Sequence, residues 1–337
     1  LDKYYGPKNE FKRFIDSCHA RNIAVIVDAV YNHAFGQSPL VQLYFENGAP
    51  AANSPYFNQM PTHPFNVGYD FNHESEATQF FFKKTIQYWI EEFRIDGFRY
   101  DLSKGFTQVD NSDNVGAWSS YDASRIALWK EYADFVWSID SDSYVILEHF
   151  ADNQEETELI EYGMLVWGNM NFNYNEASMG YTSSSDLRGV LHTSRGWADK
   201  HLIGYMESHD EERLMYKNLE FGNSSGSYSV KELETALKRQ ELVSAFFYTL
   251  PGPKMLWQFG ELGYEIDINF NGRTGPKPIR WEYLDDPDRR RLYDITSALI
   301  NLRRTYDVFQ TEDFDVSIGG TALKSIHLND DEFDVTV

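Results

Sequence analysis

The 337-residue sequence predicts a (β/α)₈ barrel of the α/β class. Short apolar runs alternate with amphipathic helical segments, a pattern typical of βαβ units and a parallel sheet. Polar side chains follow four of these runs directly, and a (β/α)₈ barrel carries its active site at the carboxyl ends of its strands. The alternative is an open doubly wound sheet, but no glycine-rich phosphate loop follows any predicted strand.

Composition narrows the class of protein. Hydrophobic residues make up 42% of the chain and aromatic residues 16%, which predicts a large core rather than disorder. A formal net charge of −22 argues against nucleic acid and anionic membrane surfaces as partners. No apolar run approaches the roughly 18 residues of a membrane span, so membrane insertion is not expected.

The first half of the chain predicts strands joined by long connections. The β-branched run at 23–30 is typical of a strand buried on both faces. The excursion at 34–73 is irregular and much longer than an ordinary βα connection, which favours a functional role. In order, the predicted elements are a helix at 9–21, a strand at 23–30, the excursion at 34–73, a helix at 75–93, a strand at 95–101, a second excursion at 103–120 and a helix at 121–139.

The second half continues the alternation and then changes character. Residues 1–310 are predicted to form the barrel domain, and 311–337 the start of a C-terminal all-β domain of the β-sandwich type. The predicted elements are a strand at 143–150, a helix at 153–161, a strand at 164–167, a helix near 184–195, a strand at 201–207, a flexible loop at 222–228, a helix at 231–249, a strand at 253–258, a helix at 287–305 and β-like alternation at 313–337.

Four strand ends carry groups capable of chemistry. Arg99 and Asp101 lie on one face of their strand, so the guanidinium favours an ionised carboxylate, which suits a nucleophile. Each strand end alone has a structural explanation, such as a helix cap or an ion pair. Four at the same end of one barrel favour an active site. The groups are Asp28 with Asn32 and His33, Arg99 with Asp101, Glu148 with His149, and His209 with Asp210.

These four segments resemble the signature regions of the α-amylase family of glycoside hydrolases. The matching stretches read Asp-Ala-Val-Tyr-Asn-His at 28–33, Gly-Phe-Arg-Tyr-Asp at 97–101, Ile-Leu-Glu at 146–148 and Glu-Ser-His-Asp at 207–210. They occur in the family's order, on strands that would be the third, fourth, fifth and seventh of the barrel. The resemblance implies two further strands before the first helix, so we expect an N-terminally truncated barrel with strands three to eight visible.

The resemblance also implies roles for individual residues. Asp101 would be the nucleophile, Glu148 the general acid and base, and Asp210 the group that holds sugar hydroxyls and stabilises the transition state. Retaining glycosidases need one ionised and one protonated carboxyl group, and the apolar neighbours of Glu148 would favour its proton. The expected substrate-binding residues are Tyr31, His33, Arg99, Lys104, His149 and His209, with Asp28 as a buried partner of Arg99 and Asn32 as structural support.

Two further groups of residues are relevant to the substrate and to metal binding. Aromatic residues near strand ends could stack on sugars, although core packing is the expected role for all but Tyr31 and Trp118; the others are Trp167, Tyr174 and Trp257. Asn32 matches a usual calcium ligand of the family. Gly105, however, stands where many α-amylases have a histidine whose backbone helps to bind calcium. We therefore expect no cofactor, with calcium possible but not favoured.

The predicted activity is the hydrolysis of α-1,4-linked glucans by a retaining double displacement. Glu207 and Ser208 resemble the corresponding residues of glucan-branching enzymes, so branching-type transglycosylation is the alternative. A catalytically inactive, amylase-like binding subunit is a second alternative, but such proteins lose carboxylates that are all present here. The expected partner is an α-glucan, and a polymeric substrate slightly favours a secreted or cell-surface location.

Overall fold

The computed structural model describes residues 6–65 and 67–337. The chain divides into two compact units, Leu1–Trp167 and Gly168–Val337. The elements of the first unit are α1 (Lys8–His19), β1 (Ile26–Ala29), β2 (His33–Ala34), α2 (Pro39–Leu43), β3 (Phe45–Glu46), β4 (Ala49–Pro50), β5 (Tyr69–Asp70), α3 (Glu76–Phe93), β6 (Gly97–Tyr100), α4 (Val115–Trp118), α5 (Ala123–Ile139), β7 (Tyr144–Leu147), α6 (Asn153–Glu161) and β8 (Leu165–Asn169), which ends beyond the boundary.

The first unit is built on a parallel sheet in the order β1, β6, β7, β8. Asp28 lies opposite Arg99, and Arg99 lies opposite Ile146, so the carboxyl ends of these strands meet at one edge. A side chain at Gly97 would place a Cβ 2.4 Å from the Tyr144 carbonyl oxygen, so the close approach of β6 and β7 requires glycine there. The predicted strands at 23–30, 95–101, 143–150 and 164–167 are all present; the first three are shorter than predicted, and the fourth ends two residues later.

The excursion at 34–73 is more ordered than the sequence predicts. It contains the helix α2 and the short strands β3, β4 and β5, and β5 pairs with β2. Val41, Phe57 and Phe71 form a small apolar core within it. Two- and five-residue elements leave no measurable period in a sequence, which is why the pattern indicated only a loop.

The second unit carries two parallel strands and a separate antiparallel sheet. β9 and β12 pair in parallel, while β13, β14 and β15 form a three-stranded antiparallel sheet. The elements are α7 (Asn171–Met179), β9 (Leu202–Tyr205), α8 (Leu214–Phe221), β10 (Ser224–Ser225), β11 (Tyr228–Ser229), α9 (Leu233–Thr249), β12 (Lys254–Met255), α10 (Pro287–Thr305), β13 (Phe314–Ser317), β14 (Ser325–Leu328) and β15 (Val335–Thr336).

The C-terminal strands share a core with the rest of the second unit. Ile318, Ile326 and Leu328 belong to the same buried cluster as Tyr174 and Phe247. The β character predicted for 313–337 is therefore confirmed. That residues 311–337 begin a separate β-sandwich domain stays a prediction.

The predicted helix near 184–195 is wrong. The structure has 3₁₀ turns at Thr182–Ser184, Arg188–Val190 and His192–Arg195, and Gly196, at φ +79°, ends the last of them. The α-helix lies earlier, at Asn171–Met179. Four of its nine residues are asparagine or serine, which favour caps and turns, so burial of Tyr174 and Met179 overrides a weak local preference.

The segment predicted as a flexible loop at 222–228 overlaps a short β-hairpin at 224–229. β10 and β11 pair across a turn in which Gly226 has φ +59°.

Helix α10 begins and ends with the residue types that favour helix ends. Asp286 caps α10, Pro287 occupies its first turn, and Arg303 and Arg304 lie in its last turn. None of the helices among the described residues has the length and apolar character needed to cross a bilayer.

Candidate active site

Arg99 is the centre of the polar cluster at the strand ends of the first unit. Its side chain is only 5% exposed, and its Nη1 lies 2.7 Å from Asp28 Oδ1 and 2.9 Å from Asp101 Oδ1. Its Nη2 lies 2.7 Å from Glu148 Oε2. One guanidinium therefore forms ion pairs with three carboxylates from three adjacent strands.

The charge on Arg99 is strongly favoured by this setting. Burial alone would lower its pKa, but the carboxylates of Glu148, Asp28 and Asp101 outweigh burial and raise it. The guanidinium carbon also lies 4.0 Å from the centroid of the Trp167 ring, which closes one face of the cation. Trp167 is buried, so this ring supports the arginine, as the core-packing expectation for it implied.

The main chain fixes the two carboxylates predicted to be catalytic. The Asp101 amide donates to the Ala29 carbonyl, and the Glu148 amide donates to the Tyr100 carbonyl. The Leu102 amide donates to Glu148 Oε2 at 2.9 Å. With side-chain exposures of 21% and 12%, Asp101 and Glu148 are both anchored and reachable.

Contacts to Glu148 in this structure differ from those expected of a protonated acid. Its carboxylate receives an arginine and a backbone amide, and both contacts stabilise negative charge. The apolar residues Val145, Ile146 and Leu147 that precede it are buried in the strand, and none of the contacts given for the carboxylate comes from them. Sequence neighbours therefore did not describe the surroundings of this side chain.

Asp28 pairs with Arg99 as expected, but it is not buried. Its side chain is 57% exposed, so the expectation of a buried partner is wrong. β1 forms ladder bonds to β6 on one side, and among the described pairings no strand flanks its other side.

His33 lies close to the nucleophile candidate. Burial lowers its pKa, and the charge of Asp101 partly offsets that effect, so the ring is neutral at pH 7 and can donate or accept one hydrogen bond. The neighbouring Asn32 is fully buried, and its Nδ2 lies 3.3 Å from His63 Nε2. Both residues of the first motif are thus placed at the carboxyl end of β1.

Two predicted substrate-binding residues of the first unit are used inside the protein. Both ring nitrogens of His149 have partners, Ser103 Oγ at 2.9 Å and Glu155 Oε1 at 2.6 Å, and the ring is buried. Lys104 donates to Ser119 Oγ and to the Phe150 carbonyl, both at 2.9 Å. This placement argues against a sugar contact by His149. The Lys104 side chain is also buried, and burial lowers its pKa to about 8.

The aromatic candidates Tyr31 and Trp118 also pack within the first unit. Tyr31 meets the rings of Phe81 and Phe82 of α3 edge-on, which places it against a helix. Trp118 is buried, stacks on His63 at 5.2 Å between ring centroids, and lies under the Lys104 ammonium at 4.1 Å. The sugar stacking suggested for these two rings is therefore not what the structure favours.

The second unit carries the remaining predicted pair. Asp210 is exposed at the end of β9, and His209 Nε2 lies 3.3 Å from its Oδ2. Both line a cavity of about 440 Å³ together with Trp257, Arg273 and other residues of the segment after β12. The volume suits a small ligand such as a sugar unit.

Arg273 is a site residue that the sequence analysis missed. Its Nη2 donates to the Asp210 carbonyl oxygen and lies 3.6 Å from Asp210 Oδ1. Lys277 Nζ donates to the carbonyls of Gly272, Arg273 and Gly275, so the lysine holds the loop that presents Arg273. The glycines and the two cations of this loop were signals in the sequence, but nothing in their spacing pointed to Asp210.

Comparison with known proteins decides the family. The family model described as "Alpha amylase, catalytic domain" matches residues 63–294, which is more than half of the chain. The chain belongs to the α-amylase family. The resemblance drawn from the four motifs is thereby confirmed.

Relatives within the α-amylase family differ in activity. Alpha-amylase 3 of Dictyoglomus thermophilum is 25% identical over 315 residues, covering 84% of this chain and 54% of that protein. The 1,4-alpha-glucan branching enzyme GlgB of Chlamydia abortus is 23% identical over 312 residues, covering 88% of this chain and 41% of that protein. The chain spans about half the length of the curated relatives it matches first.

Solved structures confirm the fold. A cyclomaltodextrinase superposes on the whole chain with a TM-score of 0.73 at 19% identity, and the match covers 55% of that protein. The fold is therefore that of the α-amylase catalytic domain, with the strands of a (β/α)₈ barrel from β1 onward and further β-strands at the C-terminus. The predicted fold class is confirmed.

The residues around Asn32 do not fit a calcium ion. Asn32 Oδ1 is buried and accepts no hydrogen bond within the described residues, which would suit a cation. Its surroundings, however, supply His63 Nε2, which lies 3.3 Å from Asp70 Oδ1 as well as from Asn32 Nδ2. Calcium takes six to eight oxygen ligands, and the part of the chain that the structure describes has no group of three or more acidic, histidine or cysteine side chains placed to hold a metal ion. The reaction proposed for this protein does not depend on calcium.

Proposed function

We propose that the protein hydrolyses α-1,4-linked glucans with retention of anomeric configuration. The observation that carries this proposal is the sharing of Arg99 by Asp101 and Glu148. Contact with one guanidinium brings both carboxylates to the same strand ends, and retention is the mechanism general to the family whose model matches the chain. Retaining glycosidases hold theirs about 5–5.5 Å apart, whereas inverting enzymes leave about 6.5–9.5 Å for a water molecule.

Asp101 is the nucleophile in this proposal. Its carboxylate oxygen attacks the anomeric carbon of the sugar and the bond to the leaving oxygen breaks. Glu148, which must be protonated for this step, supplies the proton that the leaving oxygen takes up. Arg99 Nη1 contacts Asp101 Oδ1 and orients this carboxylate for attack. Glu148 then removes a proton from water, which attacks the glycosyl–enzyme and releases the sugar.

Other residues would hold the substrate. His33, neutral and close to Asp101, is proposed to hydrogen-bond a sugar hydroxyl. Asp210 and His209 are proposed to hold sugar hydroxyls from the cavity of the second unit, next to the partly exposed ring of Trp257. Trp257 offers the flat apolar face on which sugars stack.

Glucan transfer is the second candidate, because a branching enzyme is among the relatives and Glu207–Ser208 precedes His209. Both reactions use the same glycosyl–enzyme, which water or a sugar hydroxyl can attack. Product analysis on amylose, with and without a glucan acceptor, separates them. Hydrolysis generates reducing ends whether or not the acceptor is present. Transfer yields new linkages and few reducing ends when the acceptor is present.

A further inference from the structure

Ser103, His149 and Glu155 form a buried chain of hydrogen bonds behind the ends of β6 and β7. Their exposed fractions are 0%, 1% and 0%. Ser103 Oγ lies 2.9 Å from His149 Nδ1, and His149 Nε2 lies 2.6 Å from Glu155 Oε1. The three residue types and their order are those of a serine nucleophile with its base and orienting carboxylate.

This array does not serve as a nucleophilic triad. Ser103 is fully buried, so no substrate carbonyl can approach its hydroxyl. The hydroxyl instead lies 2.8 Å from the main-chain oxygen of Glu148. The array therefore acts on the protein itself, at the residue assigned as the acid.

The protons of the array follow from its charges. Burial lowers the pKa of His149, with Glu155 only partly offsetting the effect, so the ring is neutral at pH 7. A neutral ring has one N–H, and the contact with the Glu155 carboxylate requires that proton on Nε2. Nδ1 is then an acceptor, so the single Ser103 hydroxyl proton is shared between Nδ1 and the Glu148 carbonyl oxygen in a three-centre hydrogen bond.

Arg125 fixes the far end of the array. Its Nε and Nη2 bind the two oxygens of Glu155 at 2.5 and 2.7 Å. The Asp122 amide donates to Glu155 Oε2 at 2.9 Å. Burial alone would raise the pKa of Glu155, but the hydrogen bonds from His149 and Arg125 outweigh it and lower the pKa. The same bonds fix the orientation of the carboxylate.

The near end of the array joins the nucleophile segment to the acid segment. The Ser103 amide donates to the Glu148 carbonyl at 3.0 Å, next to the contact of its hydroxyl. Leu102, between Asp101 and Ser103, has φ +46° and donates its amide to the Glu148 carboxylate. A left-handed leucine persists only where its surroundings hold it, and Ser103 supplies that support.

We propose that His149 and Glu155 are positioning residues, which set the Glu148 carboxyl relative to Asp101 through Ser103. This inference rests on the proposed function. The array fixes the Ser103 hydroxyl, Ser103 fixes the main chain at both Leu102 and Glu148, and Glu148 thereby reaches the leaving oxygen. A shift of about 1 Å in such a group can cost about 100-fold in rate.

The test compares two classes of substrate. A maltooligosaccharide needs a proton on its leaving oxygen, whereas para-nitrophenyl α-maltoside has a leaving group that does not. In His149→Gln, kcat/KM for the oligosaccharide is expected to fall roughly tenfold more than kcat/KM for the aryl glycoside. If His149→Gln does not fold, Ser103→Ala, which removes only a hydroxyl group, replaces it.

His73→Gln is the matched control. His73 is also a buried histidine of the first unit, and its ring bonds Tyr132 Oη at 2.9 Å and the Tyr31 carbonyl at 2.8 Å. Loss of stability alone would lower both activities by one factor, as expected for the control. Equal losses on both substrates in His149→Gln or Ser103→Ala overturn the positioning role. If the unmodified protein cleaves neither substrate, the proposed function is what fails.

A second measurement needs no activity. In protein carrying ¹⁵N-labelled histidine, the ring nitrogen shifts of His149, assigned with His149→Gln, are expected to show Nε2 protonated and Nδ1 bare. Glu155→Gln can donate an amide hydrogen to Nε2, so the proton should move to Nδ1. A ring that is protonated on Nδ1 in the unmodified protein contradicts the proposed array.

Discussion

At the scale of single residues, Arg99 determines what the strand ends can do. It is almost fully buried and contacts one carboxylate from each of three neighbouring strands. Removing its side chain would leave Asp101 and Glu148 without the positive charge that they share. The arrangement explains why the two carboxylates can remain close together at neutral pH.

Asp101→Asn tests the nucleophile assignment. The amide cannot form the glycosyl–enzyme, so glucan hydrolysis should fall by about a thousandfold or more. Maltooligosaccharide binding, measured by calorimetry, should persist, because the change adds no bulk. Asp110→Asn, at an exposed carboxylate that contacts Ser112, should retain full activity. Comparable activity in the two variants would refute the assignment.

Glu207→Gln tests an effect of pH on stability. Burial raises the pKa of Glu207 to about 7, so the folded chain keeps this proton up to about pH 7, whereas the unfolded chain loses it near the ordinary glutamate value of 4.5. Between these values unfolding releases a proton, so stability falls as pH rises, by up to about 3 kcal/mol. The Leu214 amide, which donates to Glu207 Oε1, can donate equally to glutamine.

Urea unfolding at pH 8 should therefore show Glu207→Gln to be more stable than the unmodified chain. At pH 4 both side chains are neutral, and the difference should largely disappear. A difference that is the same at both pH values would contradict the assigned pKa.

At the scale of elements, the sequence predicted those whose patterns are long. The four strands of the parallel sheet in the first unit and the helices α3, α5, α9 and α10 all lie where the sequence pattern placed them, to within a few residues. Helix α7 was missed because asparagine and serine obscure it, and the turns at 182–195 were mistaken for a helix. Tertiary packing decides such segments, and a single sequence does not show it.

The same distinction separates the parts of the candidate site. Arg99 lies within β6, and Asp101 and Glu148 directly follow β6 and β7, so strand order alone places the three together. Arg273 comes from a loop far along the chain, and the exposure of Asp28 and the burial of His149 depend on packing partners. Motifs therefore gave the residue identities, but not which side chains face solvent.

Lys277→Met tests the loop that presents Arg273. Methionine keeps the length of the side chain but donates to none of the three carbonyls that Lys277 contacts. Amide hydrogens of Gly272 and Gly275, which are bonded within the loop, should exchange roughly tenfold faster. Lys238→Met removes a surface pair with Glu234 and should leave these amides unchanged. Unaltered exchange in Lys277→Met would show that the lysine does not order the loop.

At the scale of the whole molecule, the family is established and the activity is proposed. A solved structure of the family matches the fold over the full chain. The curated relatives, however, include both an amylase and a branching enzyme. Sequence identity near 25% does not separate these activities. The chemistry of individual groups has to do so.

Removal of divalent metal tests whether the molecule is stable without calcium. The His63 contacts to Asn32 and Asp70 are made by protein atoms alone. Dialysis against EDTA should therefore leave Tm unchanged, and added calcium should not raise it. A ligand present at about 100 times its Kd would add about 2.7 kcal/mol of stability, which a thermal melt detects. A rise in Tm with calcium would contradict this prediction.

The most direct test of the central claim is to trap the glycosyl–enzyme. Glu148→Gln should still form the intermediate from α-maltosyl fluoride, whose leaving group needs no proton, but should hydrolyse it slowly. Mass spectrometry of its peptides is expected to show a maltosyl adduct on Asp101. An adduct on another residue, or turnover of the fluoride to a product of inverted configuration with no adduct, would contradict a retaining mechanism through Asp101.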